Sequence, residues 1–258
     1  MVHPGSPRFH HAPTRVYKRS IQDALRHASP KCPVEDGILD RGNVNCRKLE
    51  SMETPLPAKS ISPVYLDKSL SYEAYKQLVD DLLAAGKATG INHSEAFLHY
   101  SHLNQQRMHR LEKTIVLLPE VSQRILSVSK PQTWLVLTEG WCGDAAQSLP
   151  VMQALVQLNP LIRLRIILRD ENLELMDQYL TNGVSRSIPK LIALDSGSLE
   201  VLFTWGPRPA PLQELFYRMK AEGMAYDPIK EELQRWYNTD KTVTIQQEIA
   251  GLAGAAIG

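Results

Sequence analysis

A lone cysteine follows a run of apolar residues near the middle of the chain. The run TWLVLT (133–138) predicts a buried strand, and residues 144–158 predict a helix, so Cys142 is expected where that helix begins. Unpaired backbone N–H groups and the helix dipole stabilise an anion at such a position. The sequence therefore predicts a nucleophilic thiolate with a pKa below the ordinary value of about 8.5, partly covered by Trp141.

A second thiol that could complete a redox pair is absent from this motif. In TEGWCGDAA (138–146) the position three residues after Cys142 is occupied by Ala145. A dithiol protein releases its substrate with the second cysteine, whereas Cys142 alone could only form a mixed disulfide. An inert, buried cysteine at a strand end is the alternative interpretation, and the sequence leaves it open.

Three further residues have types and positions that suit a site around this cysteine. Pro150 lies inside the predicted helix, where it is tolerated if a kink is useful. Pro189, after Ile188, opens a later strand, where a cis peptide bond would let backbone approach a neighbouring loop. Gly206 follows the last strand and is a candidate for close backbone approach.

The elements that must position these residues follow a recognisable order. Before residue 130 the pattern predicts three helices, and after it strands and helices alternate as βαβαββα, with the last two strands antiparallel. The first βαβ unit needs a parallel pair, so a mixed sheet with helices on both faces is expected. The predicted organisation is a disordered leader (1–60), a helical extension (65–129), an α/β domain (130–225), and a C-terminal helix with a loose tail (226–258).

Composition limits the classes of function. The 29 Lys and Arg residues nearly balance the 28 Asp and Glu residues, and no apolar run reaches the ~18 residues of a membrane span, so neither a nucleic-acid nor a membrane partner is expected. Three cysteines do not make a disulfide framework, which favours the cytoplasm. The histidines of the extension lack a matching Cys or carboxylate set, so no metal site is predicted.

The basic leader suggests either a transit peptide or a non-structural segment preceding a true start at Met52.

On these motifs the chain resembles the thioredoxin family. Trp141-Cys142-Gly143 matches the family's Trp-Cys-Gly run, Pro150 its kinking proline, Ile188-Pro189 its cis-proline pair, and Gly206 its glycine near the last helix. The resemblance covers about residues 130–222. It implies a three-layer thioredoxin-like fold with a central mixed sheet of about four strands, in which Pro189 faces the cysteine.

Two departures from the family's pattern occur together in this chain. Ala145 replaces the resolving cysteine, and Val136 replaces the buried acid that accepts that cysteine's proton. Glu139 is nearer to the predicted site, but its position does not match. Asp144 places a carboxylate near the sulfur, so the pKa of Cys142 is expected to fall less than in a dithiol member.

A narrower resemblance is to a poorly characterised bacterial subgroup that carries a similar helical stretch. This narrower resemblance rests on the segments TEGWCGDAAQ, ILRDENLELMDQYLTNG, RSIPKLIALD and TWGPRP. This subgroup extends the resemblance to about residues 65–248, but implies little biochemistry.

The function implied is that of a monothiol oxidoreductase in cell redox homeostasis. It would form a mixed disulfide with a protein or small-molecule substrate, and an external thiol such as glutathione would resolve it as co-substrate, with no other cofactor. Cys32 and Cys46, in the leader, are poor resolving candidates. The predicted roles are catalytic for Cys142 and Pro189, modulating for Asp144, and substrate-binding for Trp141, Gly143, Ser187, Ile188 and Gly206.

Two other functions stay open. A redox-inactive module would keep the fold and bind an extended peptide through backbone groups of Ser187 and Ile188, with apolar contacts from Trp141 and Trp205. An iron–sulfur role like that of monothiol glutaredoxins is the third interpretation, although CGDA does not match their motif. Oligomeric state is not predicted.

Overall fold

The computed structural model describes residues 60–256. The predicted leader lies outside the described residues except for Ser60, and so do Cys32 and Cys46. The helices are α1 (Val64–Asp67), α2 (Tyr72–Ala84), α3 (Glu95–Thr114), α4 (Pro119–Leu126), α5 (Gly143–Val156), α6 (Leu173–Met176), α7 (Ala210–Ala221), α8 (Tyr226–Asp240) and α9 (Val243–Ala255). The strands are β1 (Gln132–Thr138), β2 (Ile162–Leu168), β3 (Lys190–Asp195) and β4 (Val201–Trp205).

A four-stranded mixed sheet with the order β2-β1-β3-β4 forms the centre of the fold. β1 pairs in parallel with β2 and antiparallel with β3, which pairs antiparallel with β4. All seven residues of β1 are buried, as expected for a strand with a neighbour on each side and apolar packing on its faces. The predicted α/β class and mixed four-stranded sheet are therefore confirmed.

The helices before the sheet pack directly on the helix that carries the cysteine loop. α3 packs against α5, and α2 packs against α3 and β2. α2 begins at Ser71, whose hydroxyl accepts the N–H of Ala74, so the first predicted helix is divided into α1 and α2. None of the helices in the described part of the chain is long and apolar enough to cross a membrane.

Two predictions of secondary structure need correction. The second helix of the predicted βαβαββα order is only the short α6, because the N–H groups of Gln178 and Tyr179 after it bond to carbonyls three residues back rather than four. The tail predicted to be loose is instead α9, with Ile249 and Ala250 fully buried. Its small residues let α9 pack closely on α4 and α5, and this burial outweighs the poor helix propensity of glycine.

Candidate functional site

Cys142 lies at the junction between β1 and α5, as the apolar run and the helical pattern predict. The turn after β1 closes when the Cys142 N–H donates to the Glu139 carbonyl oxygen at 3.1 Å. Cys142 is the N-cap residue of α5, and its own carbonyl oxygen accepts the N–H of Ala146 at 3.1 Å. The position is therefore the helix N-terminus on which the prediction of a nucleophilic thiolate rested.

The sulfur of Cys142, however, is enclosed. The residue is only 7% exposed, and its Sγ donates to the carbonyl oxygen of Ile188 at 3.3 Å. Ile188 and Pro189 are themselves buried, and the peptide bond between them is cis. The structure thus brings Cys142, Ile188 and Pro189 together, but the Cys142 thiol is not open to solvent.

The predicted lowering of the cysteine pKa is wrong for this conformation. Burial, followed by the nearby Asp144 carboxylate, raises the pKa of Cys142 to about 12. The N–H groups of Ala145 and Asp144 and the guanidinium of Arg208 act in the opposite direction but are outweighed. The resting cysteine is a protonated thiol, because desolvation is stronger here than the helix N-terminus.

Asp144 is the centre of a buried polar network beside the cysteine. Its carboxylate accepts from Arg208 Nη2 at 2.7 Å and from the Tyr237 hydroxyl at 2.9 Å. Burial raises the pKa of Asp144, and Arg208 is the largest influence that opposes this rise. The network ties the first turn of α5 to the loop after β4 and to α8. Neither Arg208 nor Tyr237 was predicted, since no spacing in the sequence relates them to Asp144.

Trp141 is half-buried against residues of two other segments. The ring of Phe97 in α3 meets the indole edge-on at a centroid distance of 4.8 Å, and the Arg169 guanidinium lies 5.0 Å from the indole centroid. Trp205 is buried, and its Nε1 donates to Glu248 in α9 at 2.7 Å. Trp205 is therefore not available for the contact with a partner that the sequence suggested.

The two predicted site glycines have different surroundings. A Cβ on Gly143 would lie 3.5 Å from Nη1 of Arg107, in ordinary contact with α3. Gly206 has a φ of +109°, and a Cβ there would collide with the carbonyl oxygen of Pro189. The backbone around Gly206 therefore packs directly on the segment that faces the sulfur, and only glycine fits.

The segment before Pro189 has unused backbone groups. Ser187 is partly exposed, and its hydroxyl shares a 2.7 Å hydrogen bond with that of Ser185. Among residues 60–256, no partner accepts from the N–H of Ser187 or Ile188 or donates to the Ser187 carbonyl. Lys190, directly after Pro189, is buried, with Nζ 3.4 Å from the Gly206 carbonyl oxygen.

The helical extension supplies polar contacts that sequence spacing did not indicate. The Thr89 hydroxyl accepts the N–H of Gly140 at 2.8 Å, and Asn104 donates to the Gly140 carbonyl at 3.0 Å. Glu139 is fully buried, its Oε1 accepts the Asp170 N–H at 2.8 Å, and burial raises its pKa. The contacts from Thr89 and Asn104 fix the turn between β1 and Cys142 from outside the α/β domain. Residues 60–256 contain no His, Cys or carboxylate cluster that could hold a metal ion.

Comparison with known proteins agrees with this architecture. A family model described as Thioredoxin matches residues 90–222, and the chain belongs to the thioredoxin family. The match begins before α3, so it includes the larger part of the helical extension as well as the sheet.

Solved structures give weaker likenesses. A crystal structure of a protein of unknown function from Pseudomonas aeruginosa is 17% identical, with 72% of this chain and 99% of that chain covered and a TM-score of 0.47. A crystal structure of an HIV epitope-scaffold is 18% identical, with the same coverage and a TM-score of 0.46. No curated protein matches the chain.

Proposed function

We propose that the protein is a thioredoxin-fold binding module that holds an extended peptide segment and does not cycle through disulfides in its resting conformation. The observation that carries the proposal is the enclosed sulfur of Cys142, which is hydrogen-bonded to Ile188 and has its pKa raised to about 12. A nucleophile for disulfide exchange must be a thiolate that a disulfide can reach. Ala145, which is also buried, gives no resolving thiol.

The segment Ser187–Ile188 is the proposed place of binding. The N–H groups of Ser187 and Ile188 and the Ser187 carbonyl, which have no partner among residues 60–256, can form the main-chain hydrogen bonds by which an extended peptide adds to an edge. Val184, in the same loop, is 82% exposed and offers an apolar contact beside them. Trp141 contributes less than its type suggests, because Phe97 and Arg169 already cover it.

The second candidate is a monothiol oxidoreductase whose Cys142 reacts after a local opening. It is favoured by one observation: the N–H groups of Asp144 and Ala145, at the start of α5, lower the pKa of the thiol and would stabilise a thiolate once burial is removed. The thiolate would attack a disulfide, one sulfur of which leaves as a thiol, and glutathione or another external thiol would then release the bound half and regenerate Cys142.

A pair of assays separates these candidates. Binding to an array of extended peptides is expected to survive Cys142→Ser and Ser187→Ala but to be lost in Ser187→Pro, which removes a main-chain N–H. Circular dichroism of each variant establishes that it is folded. In parallel, reduction of a glutathionylated peptide by glutathione is expected to be no faster with the protein than without it. Turnover that disappears in Cys142→Ser would overturn the binding-module proposal in favour of the oxidoreductase.

A further inference from the structure

Helix α8 lies against the beginning of the cysteine helix. One face of α8 is buried through residues spaced by four, Ile229, Leu233 and Tyr237. The Tyr237 hydroxyl donates to Asp144, two residues after Cys142. The phenol is also close enough to the sulfur for a thiolate charge to raise the pKa of Tyr237, although burial is the larger cause of that rise. The second half of α8 therefore contacts the first two turns of α5.

Both apolar and polar contacts attach α8, since its buried face joins the hydrophobic core and Lys230 contacts Tyr100 of α3. Besides the Tyr237–Asp144 hydrogen bond, the Gln234 side chain accepts from Gln147 of α5 at 3.2 Å. Of its 15 residues only three are buried, whereas five of the 13 residues of the following α9 are buried. Because a smaller share of its residues is buried, separation of α8 from α5 is expected to cost less than the loss of α9.

Both ends of α8 adjoin left-handed backbone. Gly223 (φ 74°) precedes it, and Lys241 (φ 50°) and Thr242 (φ 71°) follow it. Beyond Thr242, α9 is anchored by fully buried residues such as Ile245 and Ile249. Helix α8 thus lies between two turns of the chain, and α9, which follows its C-terminus, is fixed to the core.

We propose that α8 is a cover that controls access to Cys142, held closed by the hydrogen bond from Tyr237 to the Asp144–Arg208 ion pair. When the cover opens, the sulfur becomes accessible to a thiol-reactive partner while the sheet and α9 stay folded. This inference does not depend on peptide binding at Ser187, because accessibility of the thiol is measured separately.

The test is the rate at which iodoacetamide alkylates Cys142 in the native protein, in a Cys32→Ser/Cys46→Ser background. Removing a hydrogen bond to a charged group with Tyr237→Phe is expected to raise this rate about tenfold or more. Hydrogen exchange in residues 226–240 is expected to accelerate as well, with exchange in β1 unchanged. Tyr226→Phe is the matched control on the same helix, since its side chain is exposed and it should leave both rates unaltered.

A second control distinguishes local opening from general instability. Ile249→Val weakens the core of α9 without touching Asp144, and it is expected to change the alkylation rate far less than Tyr237→Phe. Equal alkylation rates for the wild-type protein and Tyr237→Phe would overturn the proposal. So would an Ile249→Val effect as large as that of Tyr237→Phe, because the thiol would then be reached only through global unfolding.

Discussion

Replacing Arg208 with alanine is expected to lower the free energy of unfolding by about 3 kcal/mol or more. The substitution removes the ion-pair partner that Asp144 has among residues 60–256 and leaves its carboxylate, at 12% side-chain exposure, uncompensated. It also removes the guanidinium that lies 4.3 Å from the centroid of the Phe216 ring. Denaturant unfolding followed by circular dichroism measures the change.

The matched control is Arg186→Ala. Arg186 makes a comparable contact with Asp177 at 2.6 Å, but the two side chains are 48% and 45% exposed. An exposed pair is worth no more than about 1 kcal/mol, since water solvates both charges when it breaks. If Arg208→Ala and Arg186→Ala lower the free energy of unfolding by similar amounts, burial does not determine how much the Asp144–Arg208 pair contributes to stability.

Gly206→Ala is expected to destabilise the protein by at least about 3 kcal/mol. A methyl group there meets both an unfavourable positive φ and the carbonyl oxygen of Pro189, which is backbone and cannot rotate away. The variant should also perturb the segment facing Cys142, because the collision pushes on Pro189 itself. Thermal and denaturant unfolding both report the loss.

Gly223→Ala is the control that separates the cost of a positive φ from the cost of the collision with Pro189. Gly223 also has a positive φ, at 74°, but nothing lies within 4 Å of the Cβ it would gain. Its substitution should cost about 1 kcal/mol, the usual cost of left-handed backbone. If Gly206→Ala costs no more than Gly223→Ala, the close approach of Gly206 to Pro189 is not a constraint on the fold.

Local patterns were sufficient to predict the elements that position the site. The apolar run before Cys142 and the helical spacing after it indicated the strand–turn–helix junction, and the short polar link between β3 and β4 indicated their antiparallel pairing. These features depend on residues close together in the chain, where periodicity and turn chemistry are informative.

The chemical state of the cysteine could not be predicted in the same way. The sulfur contacts the carbonyl oxygen of Ile188, 46 residues away in sequence, and the partner of Asp144 that matters most, Arg208, is 64 residues away. The N–H groups at the start of α5 lower the pKa of Cys142, as the sequence predicts. Burial raises the pKa by more than this, and burial cannot be read from the local sequence. The Asp144 carboxylate was expected to oppose ionisation of the thiol, and its charge does raise the pKa of Cys142.

Titration of the Cys142 thiol tests the account most directly. The ultraviolet absorbance of the thiolate is followed against pH in a Cys32→Ser/Cys46→Ser background, with Cys142→Ser in that background subtracted to remove tyrosine ionisation. The buried, protonated thiol predicts no thiolate signal below about pH 9 and a pKa well above the ordinary value of about 8.5. A midpoint at or below that ordinary value would mean that the resting sulfur is an accessible nucleophile, and would contradict the account.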